Sequence, residues 1–190
     1  YSWQNEQQDG AHTLRAVLMY MHYQAESGTS CPLTMTHAAV PAMRYGKSLP
    51  SYWLDKLING VYDPRSLPAS QKNGVTIGMG MTEKQGGSDV RRNTTTATKQ
   101  RDGSYSIVGH KFFFSAPMCD AHLILAQAEG GLSCFLLPRI LENGELNNVR
   151  IQRLKDKLGD WSNASSEVEF QEATAYLIGE EGRGVPVIID

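Results

Sequence analysis

The sequence predicts an α+β fold, a helical N-terminal segment followed by an antiparallel β-barrel or sandwich. Two observations carry this reading. Before about residue 70, apolar residues recur at helical spacing; after residue 74 the period falls to two, with turn residues between short apolar runs. Composition sets the scale: 190 residues, 41% hydrophobic and 20% charged, have room for one compact domain or one domain and part of another.

The elements follow in order. Leu14, Val17, Leu18, Met21 and Ala25 share one face of a first helix, which Gly28 is placed to end. A second helix is expected from about Leu33 to Tyr45, with Pro41 as a kink or break. A third, Tyr52 to Ile58, starts after Pro50-Ser51 and closes at Asn59-Gly60. Residues 63–74 hold two prolines and end on Asn-Gly, the composition of a linker. Beyond it, strands are expected over 75–82, 92–99, 104–109, 111–115, 122–128, 132–138, 149–153 and 166–171. Asp102-Gly103, Gly130-Gly131 and Asn143-Gly144 supply turns between them. So many short strands argue against a doubly wound sheet. "GEEGRGVPVIID" closes the chain as a loop running into an apolar segment that has only begun, which predicts a fragment of a longer polypeptide.

Charge and cysteines exclude several classes. A net charge of −2 gives no general attraction to nucleic acid or anionic lipid. Cys31, Cys119 and Cys134 are scattered and fit neither a zinc site nor a disulfide framework, so no metal is expected. No apolar run approaches the ~20 residues that span a bilayer, and no signal segment opens the chain. The expected compartment is the cytoplasm, with no membrane partner.

One stretch stands apart, "IGMGMTEKQGGSDV" from Ile77 to Val90. It is not a dinucleotide fingerprint, because Glu83 stands where the third glycine is needed. It is not a Walker loop either, because Gln85-Gly86 replace Gly-Lys. On a strand, Gly78, Gly80 and Thr82 face one way and Ile77, Met79 and Met81 the other. Two bare positions allow a flat group to approach the backbone. Thr82 adds a hydroxyl, and Gly86-Gly87-Ser88 can converge their N–H groups on a phosphate oxygen. The same pattern also fits a β-bulge and a glycine turn without a ligand, and spacing alone does not choose.

Four ordered motifs give the sequence a resemblance. "MTEKQGGSD" resembles the T-E-x-x-x-G-S-D segment of acyl-CoA dehydrogenases, flavoproteins that oxidise acyl-CoA thioesters at the α,β carbons. "GHKFFFSAP" (109–117), "LKDKLGDWSNASSEVEF" (154–170) and "LIGEEGRGVPVII" (177–189) resemble later segments of that family, in its order. The likeness covers roughly residues 10–190 and is strongest to the AidB-type branch, which serves the adaptive response to DNA alkylation. It implies that 1–73 end an N-terminal helical domain, that 74–176 form the middle β-barrel, and that 177–190 begin the connection to a C-terminal helical bundle lying outside this chain.

The resemblance also implies FAD as cofactor. Met79, Gly80, Met81 and Thr82 would run beside the isoalloxazine, with Thr82 donating to its polar edge. Gly87 and Ser88 would lie near the pyrophosphate, with Ser88 also on the CoA side of the substrate groove. Phe113, Phe114 and Ser115 would cover the ring. Phe113 replaces a common tryptophan, and Ser115 replaces a threonine that reaches the flavin N5 edge. Phe112 and Phe114 fit the aromatic core of a plain barrel strand equally well. No catalytic residue is expected in this chain, since the family's base is a glutamate of the C-terminal bundle. His37 and His110 are expected in structural roles, Glu83 as the residue that holds the turn, and Lys155, Asp156 and Lys157 as a solvated charge run. Asp160-Trp161 stand where many relatives carry an arginine, and Lys84-Gln85 replace Pro-Gly. The implied function is FAD-dependent oxidation of an acyl-CoA thioester by a homo-oligomer, a tetramer at natural length. The alternative is an AidB-type flavoprotein that protects DNA through its C-terminal domain.

Overall fold

The structure, a computed structural model, describes residues 1–189. Three helices precede the linker: α1 (Ala11–Ala25), α2 (Ser30–Arg44) and α3 (Tyr52–Ile58). Helix α1 begins at Gly10, whose φ of +80° suits glycine. It ends at Ala25 rather than at Gly28, because Glu26 is already extended. Gly28 has a different task. A side chain there would run into Ser162 and would stand 3.0 Å from the Asn163 nitrogen, so glycine lets the α1–α2 turn touch the barrel loop. The apolar face expected for α1 is present, but Leu14, Val17, Leu18 and Met21 are exposed. Pro41 sits within α2 without ending it, while Ala39, Val40, Ala42 and Met43 of that helix are buried.

Seven strands follow: β1 (Ile77–Gly80), β2 (Thr96–Lys99), β3 (Tyr105–Ser115), β4 (Ala121–Ala128), β5 (Gly131–Pro138), β6 (Val149–Leu154) and β7 (Ser165–Ile178); the six-residue α4 (Gly184–Ile189) comes last. The pairings β4–β2, β2–β3, β3–β7, β7–β5 and β5–β4 close on themselves, so the sheet is a barrel; β1 adds to β4 and β6 to β7. Closure leaves those five strands without a free edge. Most pairs are antiparallel, but β1–β4 and the short β2–β4 contact are parallel.

Two expected strands prove to be one. β3 runs unbroken through Gly109, at φ +146°, where a side chain would stand 2.6 Å from the Thr95 Cα. β7 continues to Ile178, beyond its expected end, with Glu172 at φ +60° as an irregularity that keeps Ala173, Ala175 and Ile178 buried.

Two cores result. The barrel interior holds Ile107, Phe114, Ile124, Phe135, Val168 and Phe170. A second core, between the barrel and the helices, holds Val40, Trp53, Ile77, Leu123, Leu136 and Val187. β4 serves both, which is why "HLILA" reads as a continuous apolar run rather than an alternation. Among the described residues, no helix is long and apolar enough to cross a membrane.

Candidate functional site

The glycine-rich stretch leaves the barrel at the end of β1. The Phe112 N–H donates to the Thr82 carbonyl at 2.8 Å, which sets Thr82 beside the Phe112–Ser115 part of β3. The bare face of β1 is present, and the protein itself fills it. A Cβ on Gly78 would fall within the His122 ring, and one on Gly80 would stand 2.7 Å from Phe114. Those two rings stack at 3.8 Å and 20°. The flat group expected on this face is therefore an internal pair, and Gly80 offers an outside ligand only backbone.

Phe114 is corrected on the same ground. Its ring is 2% exposed in the barrel core, edge-on to Phe170, and cannot cover a ligand on the rim. Alternation along the strand turns its neighbour Phe113 outward, 44% exposed. Ser115 is half-buried, with its hydroxyl 3.3 Å from that of Ser165. Met79 and Met81 lie on the opposite face of the β1 segment, half-buried against the helix-side core.

His122 donates from Nε2 to the Ser115 carbonyl at 3.1 Å, and burial lowers its pKa to about 4. The folded protein thus keeps this imidazole neutral, while the unfolded chain protonates near pH 6.5. The unfolded state binds more protons between those values, so stability falls as pH drops from 6.5 towards 4. About 2 kcal/mol should be lost by pH 5 relative to neutrality. Urea denaturation at both pH values measures it; His122→Gln should remove this share and leave that of His37, whose pKa burial also lowers to about 4.

Glu83 organises the turn. Its carboxylate accepts from Lys111 Nζ (2.8 Å), the Thr94 N–H (2.7 Å) and hydroxyl (3.0 Å), the Thr95 N–H (3.2 Å) and Gln85 Nε2 (2.7 Å). Burial alone would raise its pKa, but the Lys111 ammonium and the Thr94 and Thr95 donors outweigh burial and hold it far below the usual carboxylate range. Burial lowers that of Lys111, with Glu83 opposing. Glu83 is thus the holder of the turn, as expected, and not a free base. His110 serves the same loop, accepting the Lys84 N–H at 3.0 Å, and Asn93 Nδ2 donates to the Met81 carbonyl at 2.9 Å. His37 packs its ring beside Trp3 and His12.

So braced, the glycine turn folds back over Thr82. A Cβ on Gly87 would approach the Thr82 hydroxyl to 2.6 Å, and Gly86 sits at φ +135°. Gly87 and Ser88 are exposed. The Thr82 hydroxyl is half-buried and takes no hydrogen bond among the described residues. Gly87 thus packs on Thr82, with Ser88 next in sequence, and the Thr82 carbonyl ties this turn to the strand that carries Phe113 and Ser115. An outward aromatic ring, an unclaimed hydroxyl and an exposed glycine turn fit a flat heteroaromatic ring carrying phosphates.

The charge run at 155–157 is not solvated as expected. Lys155 Nζ donates to Glu167 at 2.9 Å and stands over the Phe112 and Phe113 rings. Lys157 Nζ donates to the carbonyls of Asp160 (2.9 Å) and Asn163 (2.6 Å). Trp161 follows Asp160, at φ +52°, and is exposed. Glu167 and Lys111 were missed because their partners lie 12 to 28 positions away, and His122 because its stacking on Phe114 arises from the turn between β3 and β4.

The model of the acyl-CoA dehydrogenase middle domain matches residues 78–173, and that of the adaptive response protein AidB N-terminal domain matches residues 1–64. The chain belongs to the acyl-CoA dehydrogenase family, which are flavin-dependent oxidoreductases. It is 52% identical to the putative acyl-CoA dehydrogenase AidB of Escherichia coli K12, over 99% of this chain and 35% of that protein. It is 39% identical to acyl-CoA dehydrogenase family member 11 of Caenorhabditis elegans, over 82% of this chain and 26% of the relative. The crystal structure of C. elegans ACDH-11 in complex with C11-CoA superposes with a TM-score of 0.71 at 36% identity, covering 83% of this chain and 28% of that one. The chain thus spans about a third or less of the length of these relatives.

Proposed function

We propose that this chain supplies one wall of an FAD site and part of the groove for an acyl-CoA thioester. The observation that carries the reading is the unclaimed Thr82 hydroxyl, held beside the outward Phe113 by the Thr82–Phe112 backbone bond. When bound, FAD would supply the acceptor for a hydride from the β-carbon of the thioester. The chain's own residues bind and orient. Phe113 stacks on the ring face, the Thr82 and Ser115 hydroxyls donate to its polar edge, and the Gly87–Ser88 N–H groups meet phosphate oxygens. Phe114 is not part of this wall. Glu83 is occupied by Lys111, and His122 is sealed beneath Phe114, so neither takes the α-proton. The C11-CoA bound to ACDH-11 supports an acyl-CoA as substrate class.

We also read the protein as a homo-oligomer, because Ile151, Leu154, Leu158 and Trp161 present apolar surface on β6 and the loop after it. The 18 basic and 20 acidic side chains of this chain give no net attraction to DNA. The flavin reading is tested by Thr82→Ala with Ser115→Ala in the protein at its natural length. Each lost hydrogen bond should cost about 0.5–1.5 kcal/mol, up to about tenfold in FAD affinity. Titration of the apoprotein with FAD measures it, and an unchanged dissociation constant in the double variant would end the assignment.

A further inference from the structure

Lys155 follows β6 and carries an ammonium that should prefer water. Its side chain is only 7% exposed. Nζ stands 3.3 Å from the Phe112 ring centroid and 4.5 Å from that of Phe113, and it donates to Glu167 Oε1 at 2.9 Å. Glu167, on β7, also accepts Arg153 Nε at 2.8 Å. The Arg153 side chain is 66% exposed, so Glu167 has a second cation without needing Lys155.

Withdrawing an ammonium from water is costly unless other groups replace its hydration. Here a carboxylate and two aromatic faces do so. The two rings lie 6.0 Å apart at 74°, and the ammonium fills the notch between them. An exposed phenylalanine otherwise changes rotamer on the picosecond–nanosecond scale. A stacking wall that must first be ordered binds its ligand less well than one already in place.

We propose that Lys155 is a positioning residue of the flavin site: held by Glu167, its ammonium fixes the Phe112–Phe113 pair so that the open face of Phe113 is preset for the isoalloxazine. This rests on the flavin reading above, and its test separates the two. The protein at natural length is labelled with 4-fluorophenylalanine. The five phenylalanines of this chain contribute five of the fluorine resonances, those of Phe112 and Phe113 being assigned by leucine substitution. In the apoprotein, Lys155→Met should shift and broaden those two signals and leave the remaining resonances in place. Lys155→Arg should restore them, since guanidinium keeps both the charge and the stacking. Glu167→Gln, which loosens the ammonium without removing it, should move the same pair and stands in if Lys155→Met fails to fold.

FAD should dissociate about five- to tenfold more readily from Lys155→Met. The same change should add nothing once Phe113 is alanine. An unmoved Phe113 resonance overturns the inference alone, as does an equal loss of affinity in the Phe113→Ala background. Wild-type protein that binds no FAD overturns the flavin reading and the inference with it.

Discussion

Lys111→Met is expected to lower the stability of the protein by about 3–5 kcal/mol, because it leaves the Glu83 carboxylate buried without its counter-ion. Both side chains of the pair are 0% exposed. Removing the cation does not remove the need for one. Thr94 and Thr95 would still donate, yet a carboxylate sealed from water is not satisfied by amides and a hydroxyl alone. Its pKa must then rise. With that depression reduced, the variant should lose less stability than the wild type as pH falls through the carboxylate range. Glu83→Gln with Lys111→Met should cost less than the sum of the single changes, since no unpaired charge remains. Urea denaturation of the four proteins closes the cycle. Additive losses, or a Lys111→Met loss below about 1 kcal/mol, would show that the pair is not the anchor of the turn.

That anchor illustrates what the sequence made legible. Glu83 sits inside a recognisable motif, and its role as holder of the turn could be read from the motif, although Lys111 could not. The helices were visible because spacing within one segment is local information. The end of α1 was misread at Gly28 because glycine there answers to Ser162 and Asn163, more than 130 positions away. The same limit explains β3. Strands were expected over 104–109 and 111–115, yet Gly109 permits close approach to Thr95 while the strand continues through His110. The bare face of β1 was read as a place for a flat ligand to approach the backbone. Periodicity could not say that His122 and Phe114 already fill it. Lys155 failed in the opposite direction. Three charged residues in a row look solvated until β7 brings Glu167 alongside and β3 brings two aromatic rings. Sequence marks which groups are unusual, and only topology decides whether the protein or a ligand satisfies them.

Adjacent phenylalanines on β3 should therefore respond in opposite ways. Phe114→Ala is expected to cost about 3–5 kcal/mol of stability, because its ring fills the barrel interior and leaves a cavity that the closed sheet cannot collapse around. The loss should bring a second sign. With its stacking partner gone, His122 becomes more hydrated, and its pKa should rise from about 4 towards the ordinary value. The stability penalty of acidification from pH 6.5 should shrink accordingly. Phe113→Ala, one residue earlier, removes a ring that already faces solvent and should change stability by less than about 1 kcal/mol. Its effect should fall on the flavin instead. Loss of an aromatic stack is worth about 0.5–1.5 kcal/mol, or up to about tenfold in FAD affinity. Urea denaturation and FAD titration of both variants read the two axes separately. If Phe113→Ala unfolds the protein while Phe114→Ala releases the flavin, the wall has been assigned to the wrong side of the strand. If neither variant alters FAD binding, β3 does not face the cofactor.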